Sequence, residues 1–293
     1  MVYYYPIVLF FIYSEVLILK HAIMVIGHGN NCEILQETIN NFDSDSIDFF
    51  VHWDKKFPQP TLFAKNSQIM MIENPLNVQW GTDSQIEVEK LLFKVVRKAD
   101  REYDYVHLIS ASDMPLMTKD YFIKYFKDDL YLGFTKNIDL KMYRRVSWWY
   151  PNNINYKSYM GSILHAASML INMIFKVDRL SNYSEVVVEK GCNWFSMKAS
   201  YLDIVLDYDN YDIFKHTFCA DEFYVQTILH DYKPKVLFDD NKMAARYIDW
   251  DRGKPYVFKD TDEDIQELKR LVNTKYAFAR KIESVEVVRK VFP

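Results

Sequence analysis

The chain has 293 residues, 49% of them hydrophobic and 26% charged, and a net charge of −4. That length can bury a substantial core, as one large domain or two small ones. Mild acidity without a basic tract argues against a nucleic acid partner. Three scattered cysteines with no CxxC pair, and seven histidines with no HExxH cluster, make no case for a disulfide framework or a metal site. A reducing compartment is the simplest inference. The aromatic content of 16% suits stacking on bases or sugar rings, and equally an AT-rich genome.

Residues 2–19 (VYYYPIVLFFIYSEVLIL) are apolar and close to the roughly 20 residues that cross a bilayer. Pro6, Glu15, the lack of a preceding basic residue and the lack of a small-residue cleavage site weaken that reading. With no stem before the first strand, residues 1–19 are expected to be an extension or a poor signal-anchor, and residues 20–293 a single domain.

Residues 22–26 (AIMVI) form a continuous apolar run of buried-strand length. Gly27-His28-Gly29-Asn30 follows as a turn, then a helix over 33–42 with Ile34, Leu35, Thr38, Ile39 and Phe42 on one face. The GxG lacks the third glycine of a dinucleotide fingerprint, because Cys32 stands there. Residues 47–51 make a second strand ending in His52-Trp53-Asp54; an acid at this point is either a nucleotide contact or a solvated strand end. A short strand over 69–72 and the loop PLNVQWG precede a helix over 82–99, opened by a Thr82–Gln85 capping box. A strand over 103–109 ends in SASDMP, and Thr118 caps a helix to Phe126. Strands alternating with helices predict a mostly parallel sheet covered on both faces.

The middle of the chain is less regular. An aromatic and basic patch at 143–150 (YRRVSWWY) could bind a sugar or belong to a lid or core. The apolar segment 160–177 reads as a packed helix, with a membrane contact as the lesser alternative. Then come a strand-like run over 190–197 (KGCNWFSM), a helix over 199–208, and residues 216–231 (HTFCADEFYVQTILHD). The last of these reads as a helix with Asp221 and Glu222 in its first turn, where the helix dipole favours acids in any case. Strands at 235–238 and within 244–250, a helix over 261–272, FARK at 278–281 and a polar tail complete the chain.

In order, AIMVIGH, FVHWDKK, a Trp-Gly before a helix, LISASDMPLMT, KGCNWFSM, ADEFYVQTIL, RYIDW and FARK span residues 22–281. Together they resemble the Core-2/I-branching enzymes, which include β-1,6-N-acetylglucosaminyltransferases and peptide O-xylosyltransferases. The resemblance implies an α/β fold of the GT-A type, with a Rossmann-like, mostly parallel sheet flanked by helices. It implies an inverting transferase that takes a UDP-sugar donor, with GlcNAc or xylose expected, and needs no metal cofactor. By the same resemblance Glu222 is the catalytic base, Asp54 and Ile26 line the uracil pocket, and Arg246 and Lys281 hold the diphosphate. Asn77, Trp80 and Asp113 fall near the donor. A paired DxD acid would require an acid at Ala111.

The family's disulfide cysteines, stem and long acceptor-binding region have no counterpart here, and Ile282 replaces the aromatic that usually follows FARK. The acceptor is therefore expected only as a surface glycan or glycolipid, with Arg144, Arg145, Trp148 and Trp149 as its candidate site. The cytoplasm, or the inner face of a membrane, is the expected location; an anchor at residues 2–19 is the alternative. A non-catalytic sugar-nucleotide-binding protein is the competing function.

Overall fold

The computed structural model describes residues 18–293. The apolar stretch 2–19 therefore lies outside the described residues, except for its last two. In chain order the first half is β1 (His21–Gly27), α1 (Glu33–Phe42), β2 (Ile47–Trp53), β3 (Ile69–Met71), α2 (Ser84–Arg97), β4 (Tyr105–Ser110), β5 (Met114–Pro115), α3 (Lys119–Tyr125) and β6 (Leu130–Tyr131). The second half is α4 (Leu140–Ser147), α5 (Tyr159–Ile174), β7 (Ser196–Lys198), α6 (Tyr201–Leu206), α7 (Tyr224–Ile228), α8 (Asp240–Met243), β8 (Arg246–Ile248), α9 (Asp262–Leu271), β9 (Phe278–Arg280) and α10 (Val285–Val291).

The main sheet has the order β3-β2-β1-β4-β7-β6. Strands β1 to β4 are parallel, and β7 and β6 join antiparallel. The continuous apolar runs of β1 and β2 are explained by burial on both faces. Ala22 and Met24 pack with α2, α6 and α7, whereas Ile23 and Val25 pack with α1 and α3. The chain turns to opposite sides of β1 on its way to β2 and to β4. That reversal opens the crevice at the carboxyl ends of these strands where α/β proteins bind ligands. Ile26 sits there, in register with His52 and Ser110.

A second sheet, β5-β9-β8, packs on α9 and α10. Helix α10 was legible only as a polar tail. Val285, Val287, Val288 and Val291 bury its inner face, at about 1.5–3 kcal/mol for each fully buried side chain. In the GHG turn, a Cβ on Gly27 would come 2.2 Å from the Trp53 ring, whose Nε1 donates to Gly29 O at 3.0 Å. This first glycine is there to admit an indole.

Other expectations shift. Strand β7 begins only at Ser196: residues 190–194 run as a loop, and Phe195 O accepts from Leu108 N of β4 at 2.9 Å. No strand forms over 235–238, where Val236 and Phe238 are exposed. Gln85 does not close a capping box with Thr82; its Oε1 accepts from Gly81 N and its Nε2 reaches Asp221. Helix α5 forms as expected, but it is not packed by its apolar side: its buried residues are Gly161, Ser168 and Asn172.

Candidate active site

Asp221 and Glu222 stand on a single 3-10 turn, Ala220–Glu222, just ahead of the five-residue α7. Cys219 enters that turn in the left-handed region, with φ 52°. Its backbone N–H donates to Gly81 O at 2.9 Å, which ties the turn to the Trp80 loop. The tight turn sends the two neighbouring carboxylates in different directions.

Asp221 points inward. Its Oδ2 accepts from Gln85 Nε2 (2.8 Å) and Asn193 Nδ2 (3.0 Å). Burial, and then the charge of Glu222, push its carboxyl well above the ordinary range. Glu89, fully buried behind it, is raised by the same burial and by Asp221. Asp221 is therefore a positioning residue that joins α2 and the 190–195 loop to the turn.

Glu222 points outward, with 33% of its side chain exposed. Its Oε2 accepts from Arg145 Nη1 and Lys190 Nζ, both at 2.9 Å. Partial burial works to raise this carboxyl, but Arg145 and Lys190 outweigh it and hold the group below the ordinary Glu value. Glu222 is thus an ionised acceptor of protons at neutral pH. The neighbouring Gly191 is required by space: a Cβ there would lie 1.8 Å from Gly133 O, and its N–H donates to Glu222 O at 3.0 Å.

A second group gathers at the carboxyl ends of β1 and β2. Asp54 is buried and pairs with Lys56 Nζ at 3.1 Å; its Oδ1 also accepts from Lys56 N. Lys157 lies 5.0 Å over the Trp80 ring. The charges of Lys281, Lys157 and Lys56 all bear on His28, which burial and these lysines keep below its ordinary pKa. Lys281 itself is held low by burial and by Arg280 and Lys157. Asn77 is exposed in the same loop, and half-exposed Trp80 meets Phe218 edge-on at 5.8 Å. Phe218 O in turn accepts from Arg145 Nε at 3.0 Å. An ionised carboxylate, an exposed indole and a set of lysines therefore share one side of the molecule, linked through residues 80–81 and 218–219.

Several expected contacts are relocated. Arg246 is 1% exposed and belongs to the core: it donates to Ala244 O (2.9 Å), Leu108 O and Ser196 Oγ (both 3.2 Å), and Phe195 O. Burial lowers its pKa to about 10, so it stays charged, but its guanidinium has no open surface from which to hold a diphosphate. Asp113 is likewise buried, accepting from Ser110 N (2.8 Å), Ser110 Oγ (2.7 Å) and Arg280 Nη1 (2.8 Å), while Arg280 lies over Trp194. It braces the end of β4 from within. Arg145, expected at the acceptor, is turned to Glu222 and the Phe218 and Cys219 carbonyls. Trp148 is buried, with Arg144 4.9 Å over its ring; Trp149 is exposed and stacks on His216 at 4.9 Å.

Lys190, Lys157, His28 and Lys56 were not foreseen as site residues. Lys190 opens the KGCNWFSM landmark, and Lys56 closes FVHWDKK; only their spatial partners give them roles. Among the described residues, no group of three or more His, Cys, Asp or Glu side chains is arranged to hold a metal ion.

A mostly parallel α/β sheet with residues gathered at its carboxyl edge, and a partly exposed carboxylate beside fixed cations, place the chain in the α/β class and mark this edge as its candidate ligand site. The Core-2/I-branching enzyme family model matches residues 22–272, and the chain belongs to that family of GT-A-like glycosyltransferases. Its members imply a sugar-nucleotide donor and a glycan acceptor. A direct comparison with curated proteins finds no match.

Proposed function

We propose that this glycosyltransferase is an inverting, UDP-sugar-dependent enzyme in which Glu222 is the general base. The observation that carries this reading is the Glu222 carboxylate, ionised by Arg145 and Lys190 and linked through Cys219 and Gly81 to the Trp80 loop. Displacement at an anomeric carbon passes through an oxocarbenium-like transition state. The acceptor hydroxyl becomes acidic only as its oxygen bonds that carbon, so a carboxylate of low pKa suffices to take the late proton. One base and no nucleophile accord with inversion in a single displacement.

The departing UDP gains negative charge. Lys281, helped by Lys157 and Lys56, supplies fixed positive charge, and no metal ion is required. Ala111 stands where a second metal-binding acid of a DxD would have to be. Ile26 and the loop braced by Asp54 receive the uracil, and Asn77 and Trp80 flank the donor. GlcNAc or xylose is the transferred sugar, and a surface glycan or glycolipid on the cytoplasmic side is the acceptor.

The deciding experiment measures UDP release from UDP-GlcNAc, UDP-xylose, UDP-glucose and UDP-galactose, with and without EDTA, for the natural protein and Glu222→Gln. Transfer that resists EDTA and fails in the variant supports the proposal. UDP-sugar binding with no turnover of any donor would instead mark a non-catalytic binding protein.

A further inference from the structure

Helix α5 is amphipathic in the reverse of the usual sense. Residues at helical spacing on its inner face are small or polar: Gly161, His165, Ser168 and Asn172. Asn172 fixes that face, accepting from Trp149 N at 2.9 Å and donating to Trp149 O at 2.8 Å. His165 stacks on Phe218 at 4.4 Å. The outer face carries Ile163, Leu170, Ile171, Met173, Ile174 and then Phe175, with exposures from 44% to 74%. Among the described residues nothing covers it. So long an unbroken apolar surface marks an interaction site.

The charges select the partner. Residues 159–174 contain no Lys, Arg, Asp or Glu, and His165 is kept below its ordinary pKa by burial and then by Arg145. Exposed Lys176 follows the helix and, among the described residues, is in no ion pair, whereas Lys157 at the other end is turned to Trp80 and the donor side. An anionic lipid surface would neutralise Lys176, while exposed Trp149 suits the boundary between headgroups and acyl chains. At 16 residues, about 24 Å long, α5 is too short to span the hydrocarbon layer and is suited to lie along it.

We propose that α5 docks the protein on an anionic membrane surface, with its apolar face in the lipid interface. Because His165 packs on Phe218, the docked helix holds the Glu222 side of the molecule next to the bilayer. A lipid-linked acceptor follows only if the transferase reading also holds; docking itself does not depend on it.

The test is co-sedimentation of the full chain with phosphatidylcholine–phosphatidylglycerol vesicles, alongside the triple variant Ile163→Gln, Leu170→Gln, Ile174→Gln and the single variant Lys176→Glu. The natural protein should pellet with the anionic vesicles. The triple variant should partition roughly a hundredfold less, because three outward apolar side chains are lost. Lys176→Glu should bind anionic vesicles roughly tenfold less and pure phosphatidylcholine unchanged. Near-ultraviolet circular dichroism and transfer to a soluble acceptor check that both variants are folded and active, and the pelleting result stands even if no transfer is found. Three results would overturn the proposal. The natural protein could remain in the supernatant. The triple variant could pellet undiminished, assigning attachment to residues 2–19. Finally, the variant could convert a dimer to a monomer while neither protein binds vesicles, which would make a second copy the occupant.

Discussion

Two acid–cation centres in this protein use the same kinds of side chain to different ends. Glu222 with Arg145 and Lys190 sits where a third of the carboxylate side chain still meets solvent. Asp113 with Arg280 is buried, its oxygens are spent on Ser110 and the guanidinium, and Arg246 nearby is spent on backbone carbonyls. In the first centre a lone pair can still be offered to an incoming hydroxyl. In the second, every strong interaction is internal, and breaking it leaves an uncompensated charge. The pairing alone therefore says little about function; exposure of the paired group decides.

That contrast can be broken from either side. Glu222→Gln should lower transfer by about two to four orders of magnitude, the span of a general base, while the protein stays folded and binds UDP. Near-normal turnover would move the base elsewhere. Arg246→Met and Asp113→Asn should each lower unfolding free energy by about 3 kcal/mol or more, read by denaturant or thermal melts. Full stability with lost UDP affinity in Arg246→Met would return that residue to the diphosphate. Lys281→Ala should leave the melt nearly unchanged and weaken UDP binding about tenfold in calorimetry, the value of one charge-assisted contact.

The smallest effect is on pH dependence. Arg145 and Lys190 depress the Glu222 carboxyl, so the base stays ionised down through the ordinary Glu range, and activity falls only below it. Removing one cation with Arg145→Met raises that pKa. The acid limb of the pH–rate profile should move toward neutral, and an unmoved limb would detach Arg145 from Glu222. The same pairing contributes stability above the unfolded Glu value, which is lost as pH falls through the folded value.

Much of the fold could be read before the structure. The apolar runs of β1 and β2, the 3.6-residue stripe of α1 and the existence of α9 follow from local pattern. So does the position of the Asp221–Glu222 pair, through the ordered landmarks around it. Helix α10 escaped because its valines alternate among charges in so short a segment that no period stands out. The reversed polarity of α5 escaped for a sharper reason: hydrophobicity specifies that a face leaves water, and does not specify whether protein or lipid receives it.

By itself, then, the sequence determined the α/β order of elements, the family, and the choice of Glu222 as the acid to watch. Only the tertiary structure decided which charges stand beside it. Lys190 and Arg145 are 32 and 77 residues away along the chain and meet Glu222 only through folding, while Arg246, equally basic in sequence, turns inward. Charge is a local property, but whether a charge reaches solvent, a ligand or a carbonyl is fixed by packing from distant parts of the chain.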